Sequence, residues 1–167
     1  QPSPDLAADL YELADEVLSS AGYVQYEISN WAKSDQSTNL PLPNPPLACR
    51  HNLTYWRNEV YLGFGPGAHS SEGGQRWAII RSVPDYIEHV QRAASTVDFV
   101  EDIDDRLAMG ETMMLGLRLV REGVTFERFE QRHGRSMLDE FGAEIMRLER
   151  LGLLEMLPDR VRLTRNA

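Results

Sequence analysis

Apolar residues recur at helical spacing over residues 4–21, where Leu6, Leu10, Leu13, Ala14, Val17, Leu18 and Ala21 share one face. Ser3 is placed to cap this helix, Pro4 suits its first turn, and Gly22 stands where helices commonly end. From Tyr23 to Ser29 the period drops to two. Val24, Tyr26 and Ile28 lie on one face and Gln25 and Glu27 on the other, which predicts a strand. Helix, glycine, strand is the rhythm of an α/β unit.

The pattern breaks over residues 33–48, where Ser, Asn, Gln and four prolines (Pro41, Pro43, Pro45 and Pro46) predict a long irregular loop. A short aromatic segment and a glycine-rich stretch to Gly74 follow. Trp77 to Arg81 reads as a strand. Ser82 and Pro84 open a helix to about Ala94 with Tyr86, Ile87 and Val90 as its apolar stripe. Asp98 to Asp105 reads as an acidic connector, and the expected domain boundary lies there.

Beyond it the pattern is helical. Residues 105–121 carry Leu107, Met114, Leu115 and Leu117; Thr125 caps a short helix to about Arg132, ended by Gly134. Residues 136–151 form another, with Leu138, Phe141, Ile145, Leu148 and Leu151 facing inward. Residues 153–156 and 160–163 predict a hairpin around Pro158-Asp159. Helices followed by a small hairpin suggest a winged-helix-like module. The expected class is α+β in two parts, 1–97 and 98–167.

Composition narrows the function. The 167 residues are 42% apolar, enough to bury a core. Against 26 acidic residues stand 17 basic ones, a net charge of -9, which argues against non-specific nucleic-acid binding and against attraction to anionic membranes. Helix 136–151 sets Asp139, Glu140, Glu144 and Glu149 against Arg135, Arg147 and Arg150, a poor balance for entering a DNA groove. No apolar run approaches the ~20 residues that span a bilayer. A single cysteine, Cys49, excludes a disulfide framework and fits a reducing compartment, here taken as the cytoplasm. It also excludes a cysteine-ligated iron–sulfur cluster or structural zinc built from this chain alone. The chain opens on Gln1-Pro2-Ser3-Pro4 rather than methionine, directly before a helix, and so reads as an internal piece of a longer protein.

Candidate chemistry concentrates in His51-Asn52-Leu53-Thr54-Tyr55-Trp56 and in residues 61–70, which hold Gly63-Phe64-Gly65-Pro66-Gly67 and His69. Histidine serves as metal ligand and proton carrier, aromatics offer flat apolar faces, and glycine lets backbone approach closely. The glycines match neither the dinucleotide-binding nor the Walker pattern and equally suit a tight turn or a pocket wall. Two readings stand for His51: a ligand through one ring nitrogen with the other held by a second acceptor, or a histidine that hydrogen-bonds backbone and anchors the loop. Tyr55 and Trp56 either stack on a ligand or pack a core. Cys49 reads as a small buried apolar residue, and His89 and His133 as surface residues, His133 favourably placed at a helix C-terminus. Arg118 interrupts an apolar run and is expected to pair with a carboxylate; Glu111 is a candidate, although two turns away.

In order along the chain, Tyr26-Glu27-Ile28-Ser29-Asn30-Trp31-Ala32, Arg50-His51-Asn52-Leu53-Thr54-Tyr55-Trp56-Arg57-Asn58-Glu59 and residues 61–70 resemble the oxygen-independent coproporphyrinogen III oxidase-like family of radical-SAM proteins. Residues 111–118, Phe129, 152–154 and 162–164 extend the likeness to the C-terminal half. The heme-chaperone branch is nearest, through a His-Asn-x-x-Tyr-Trp motif that falls on His51, Asn52, Tyr55 and Trp56. The resemblance implies that residues 1–97 are terminal elements of an incomplete radical-SAM β/α barrel and that 98–167 form the family's helical C-terminal domain. It implies that a [4Fe-4S] cluster and S-adenosylmethionine belong to an upstream part, so that no catalytic residue lies here and this piece alone is no enzyme. It assigns heme or porphyrin binding to His51, Asn52, Tyr55 and Trp56, with His51 on the iron, and a heme-acceptor protein as partner. His69, at the end of the glycine-rich turn, is a second cofactor-binding candidate from its place on a pocket wall. The alternative makes the parent a coproporphyrinogen III oxidase whose substrate propionates meet Arg50, Arg57 and Arg76.

Overall fold

Ser3 accepts a hydrogen bond from the Leu6 amide through its side chain and starts helix α1 (Pro4–Ser20) in the computed structural model, which describes residues 3–34, 44–165 and 167. Gly22, at φ 81°, then reverses the chain into strand β1 (Tyr23–Glu27). The expected α/β unit does not follow. Strand β2 (Asn30–Lys33) folds straight back on β1 as an antiparallel hairpin, with an irregularity between Gln25 and Glu27. That irregularity disturbs the alternation: Glu27, on the polar side of the expected pattern, is fully buried beside Tyr26. The α1 helix docks on the hairpin by its polar residues. Tyr11 donates to the Ile28 carbonyl at 3.0 Å, and the Trp31 indole donates to Asp15 at 2.9 Å. Its apolar stripe is left open, with Leu6, Leu10, Leu13 and Val17 each about half exposed.

Of the proline-rich loop, Pro41 and Pro43 lie outside the described residues, as does the opening Gln1-Pro2. After it comes helix α2 (Arg50–Trp56), which periodicity did not predict. Strands β3 (His69–Glu72) and β4 (Gln75–Ile79) form a second hairpin, helix α3 (Val83–Gln91) follows, and β5 (Val97–Asp102) pairs with β4 in the order β3-β4-β5. The acidic stretch expected to be a connector is therefore mostly strand. Its acids are mixed with Val97, Phe99 and Val100 without strict alternation, and β4 supplies the pairing that the charge pattern concealed.

Helix α4 (Asp105–Gly116) is capped by the Asp104 side chain and ends earlier than its apolar pattern suggested. A Cβ on Gly116 would meet Val124 Cγ2 at 2.6 Å, so the chain turns where the next strand presses against it. Then come β6 (Val124–Thr125), α5 (Phe126–His133), α6 (Met137–Arg150), β7 (Leu154–Met156) and β8 (Arg160–Leu163). Gly134, at φ 65°, ends α5 in the left-handed conformation that glycine adopts without strain. The last sheet runs β6-β8-β7, three short antiparallel strands beside three helices, as in a winged helix. Its core joins Met109, Met113, Phe129, Met137, Ile145 and Val161. The inward face of α6 is shifted from expectation: Met137 and Ile145 are buried, whereas Leu138 and Leu151 are exposed. The fold is α+β, every strand pair is antiparallel, and no barrel closes among the described residues.

Candidate functional site

The two halves of the aromatic motif point in different directions because residues four apart share a helix face. On α2, Asn52 and Trp56 face inward. Asn52 Nδ2 donates to the Tyr26 hydroxyl at 3.3 Å, and Trp56 packs on a second core of Tyr26, Ala32, Ala48, Leu53 and Leu119. His51 and Tyr55 take the adjoining face. The exposed His51 imidazole stands edge-on to the Tyr55 ring at 4.7 Å, and Tyr55 in turn meets Tyr61 at 4.6 Å.

Neither alternative for the His51 ring is quite what forms. Among the described residues its nitrogens have no hydrogen-bond partner, so there is neither a backbone anchor nor the second acceptor expected behind a ligand. An exposed imidazole with both nitrogens free among the described residues can accept a proton or act as a nitrogen donor to a metal.

Two buried carboxylates fix the inner side of α2. Glu27, fully buried, receives Arg118 Nη2 at 3.3 Å, the Ser29 amide at 3.0 Å and the Asn30 side chain. The Arg118 guanidinium lies 4.2 Å from the centroid of the Trp56 ring, a cation–π contact. Glu122 receives Arg57 through Nε at 3.0 Å and Nη2 at 2.7 Å, Arg128 at 3.3 Å, and the Asn44 side chain. The hydrogen bonds from Arg57 to Glu122 hold that guanidinium's pKa above its ordinary value, although burial opposes it. The partner of Arg118 is thus Glu27 rather than Glu111, which pairs with Arg76 at 2.6 Å. Of the three arginines proposed to meet propionates, Arg57 and Arg76 are committed to carboxylates. Arg50 has no such partner among the described residues.

The glycine stretch is shaped by backbone contact. Tyr61 bridges to Ser71, the Gly63 amide donates to Ser70 Oγ at 3.0 Å, and a Cβ on Gly63 would lie 2.3 Å from the His69 carbonyl oxygen. Only glycine allows that approach. Because Tyr61 stands opposite Ser71, and His69 is two residues from Ser71 on β3, Tyr61 and His69 occupy one side of this sheet. Tyr55 and His51 continue outward from Tyr61. His69 is exposed and, like that of His51, its side chain has no hydrogen bond among the described residues. Phe64 is 89% exposed beyond it.

Other candidates resolve differently. Cys49 is exposed, not buried, because it immediately precedes α2 at its solvent end. His89 donates from Nδ1 to the Ser95 carbonyl at 2.6 Å. His133 turns inward from the end of α5, packs on Phe129, and meets Thr112 Oγ1 at 3.0 Å. Burial, with help from Arg132, lowers its pKa below the ordinary value. A shallow pocket lined by Asn58, Glu59, Ser71, Glu72, Glu111 and Arg132 includes none of His51, Asn52, Tyr55, Trp56 and His69. Among the described residues no group of three His, Cys, Asp or Glu side chains is placed to hold a metal ion, and no helix is long and apolar enough to cross a membrane.

Glu27, Glu122 and Asn44 were missed as structural keys of this site. Their signal is weak: Glu27 falls on the polar face of a strand pattern, Asn44 within the proline-rich stretch, and Glu122 between two helical patterns.

Residues 103–167 match the HemN C-terminal domain. Over 163 residues the chain is 33% identical to the heme chaperone HemW of Bacillus subtilis (strain 168), covering 98% of this chain and 40% of that protein. It is 35% identical over 170 residues to the mitochondrial radical S-adenosyl methionine domain-containing protein 1 of Mus musculus, covering 92% of this chain and 34% of that one. Coproporphyrinogen III oxidase (HemN) from Escherichia coli, a radical SAM enzyme, superposes with a TM-score of 0.66 at 15% identity, over 98% of this chain and 38% of the other. The chain therefore spans about 40% of the length of such relatives.

Proposed function

Since the chain belongs to the oxygen-independent coproporphyrinogen III oxidase-like family of radical-SAM proteins, we propose that it is the part of a heme chaperone that presents a heme-binding surface, with His51 as the iron ligand. The observation that carries this reading is the His51 ring itself: exposed, free at both nitrogens among the described residues, and backed by Tyr55 and Tyr61. Tyr55 and His69 complete the surface beside the porphyrin. Asn52 and Trp56 serve it from inside, as anchors of α2 on Tyr26 and Arg118.

The porphyrin oxidase alternative asks for several free cations around the substrate carboxylates. Ion pairs of Arg57 with Glu122 and of Arg76 with Glu111 leave Arg50 alone of the three, which favours the chaperone reading. The [4Fe-4S] cluster and S-adenosylmethionine are assigned to the part of the relatives upstream of this match, since one cysteine cannot hold such a cluster. No catalytic residue is assigned here. The divide between residues 1–97 and 98–167, a cytoplasmic location and a heme-acceptor protein as recipient belong to the same proposal. The family match beginning at residue 103 supports the divide.

Heme titrated into the 167-residue chain should give a saturable shift of the Soret band. His51→Ala should weaken binding by roughly tenfold or more and alter the band, as loss of an axial ligand does. Identical titrations for the two proteins would remove His51 as ligand.

A further inference from the structure

The loop after α4 grips α2 with two side chains. Arg118 stacks on Trp56 while bonding Glu27, and Glu122, four residues on, takes the guanidinium of Arg57. Trp56 and Arg57 are consecutive, so the C-terminal turn of the helix is held from two directions. The same loop ties its own backbone to the N-terminal hairpin, where the Ile28 amide donates to the Arg118 carbonyl at 3.1 Å. Leu117 packs on the C-terminal core, and fully buried Leu119 enters the other. One three-residue stretch thus joins both cores and the motif helix.

Stability alone is a poor account of this arrangement. It buries a carboxylate and leaves Trp56 Nε1 and Arg118 Nε buried without hydrogen-bond partners among the described residues, and ion pairs of that kind stabilise little or not at all against apolar packing. What the arrangement does supply is orientation. A planar guanidinium lying on an indole and bonding a carboxylate at its edge fixes the roll of the helix that carries the indole. His51 is five residues before Trp56 on a helix of only seven, so any roll at Trp56 carries directly to His51 and Tyr55.

We infer that Arg118 is a positioning residue for the His51–Tyr55 surface, acting through Trp56 and Glu27 rather than by touching a ligand. In its heme arm the inference rests on the function proposed above; in its structural arm it stands alone. Lysine keeps the charge of Arg118 but has no plane to stack, so Arg118→Lys is the discriminating variant and Arg118→Met the more severe one. Two readouts are followed in the 167-residue chain: the imidazole carbon–proton NMR signal of His51, assigned by its loss in His51→Ala, and heme affinity from the Soret titration.

In Arg118→Lys the His51 signal should shift, because its ring moves relative to Tyr55, and heme should bind roughly tenfold more weakly. Arg92→Met removes an exposed ion pair with Glu88 on α3, remote from this loop, and should leave both readouts at the wild-type value. If Arg118→Lys matches the wild type in the His51 signal, Arg118 does not position the surface and the inference is overturned. If the wild-type chain binds no heme, the functional reading falls, and the NMR signal still decides the role of Arg118. Where Arg118→Met fails to fold, the lysine variant carries the test.

Discussion

The C-terminal region and the N-terminal elements handle their apolar residues in opposite ways. From α4 to β8 the large side chains close on each other: Phe129, Ile145 and Val161 are essentially inaccessible, and Met109, Met113 and Met137 fill the gaps between them. In α1, α3 and β5, by contrast, Leu10, Leu13, Val17, Ile87, Val90 and Phe99 are each about half exposed, and neither helix contains a buried residue. Composition does not separate the two regions; what differs is whether a facing layer exists. Amphipathic pattern therefore tells which side of an element is made for burial, and tertiary contact alone tells whether burial occurs. The motif helix sits between these regimes, anchored by the loop of the closed region and facing outward on the open side.

Truncating a core side chain in each region should break or sharpen this contrast most strongly. Phe129→Ala removes a fully buried ring between Phe141 and His133 and should lower the unfolding free energy by about 3–5 kcal/mol. Leu13→Ser, on the open stripe of α1, should change it by no more than about 0.5 kcal/mol. Chemical denaturation of both variants supplies the comparison. A large loss in Leu13→Ser would mean that this face is covered in solution, and the contrast between regions would have to be redrawn.

Much of the closed region was legible in the sequence because its signals are local. Thr125 before Phe126, Gly134 after His133, Ser136 before Met137 and the Pro158-Asp159 turn each act within a few residues, and each boundary fell within a residue or two of its expected place. The open region was harder, since its strands are defined by partners rather than by their own pattern. Acids in Val97–Asp102 hid a strand that β4 completes, and a seven-residue α2 is too short to show a helical period. At the site, the motif residues could be found from their types and order. The inward turn of Asn52 and Trp56 could not, because it depends on Tyr26, Glu27 and Arg118, brought together across more than ninety residues. Glu27 shows the limit most clearly: in period-two reading it is a polar-face residue, and one irregularity in pairing places it in the interior.

Helix caps give a finer cut between the regions. Thr125 and Ser82 accept the same kind of hydrogen bond, from the Arg128 and Asp85 amides. Thr125→Ala should cost about 1 kcal/mol of global stability, since α5 lies in the cooperative core. Ser82→Ala should leave global unfolding within about 0.5 kcal/mol and instead speed amide exchange within α3, which frays as a local unit. Equal global losses for both would place α3 in the same cooperative unit as α5.

The smallest expected effect is electrostatic and confined to the closed region. Burial lowers the pKa of His133 from the ordinary 6.5, with Arg132 adding to the shift and Asp105 opposing it. A depressed histidine pKa means that the unfolded chain binds a proton more readily than the folded one in the window below 6.5. The stabilising contribution is therefore complete above about pH 6.5 and is lost as the pH falls toward the folded-state value. His133→Asn keeps a polar partner for Thr112 and removes the titration. Thermal unfolding at pH 7.5 and pH 5.5 should show a smaller drop for His133→Asn than for the wild type. An equal drop would locate the acid sensitivity elsewhere, with the open region and its exposed carboxylates the first place to look.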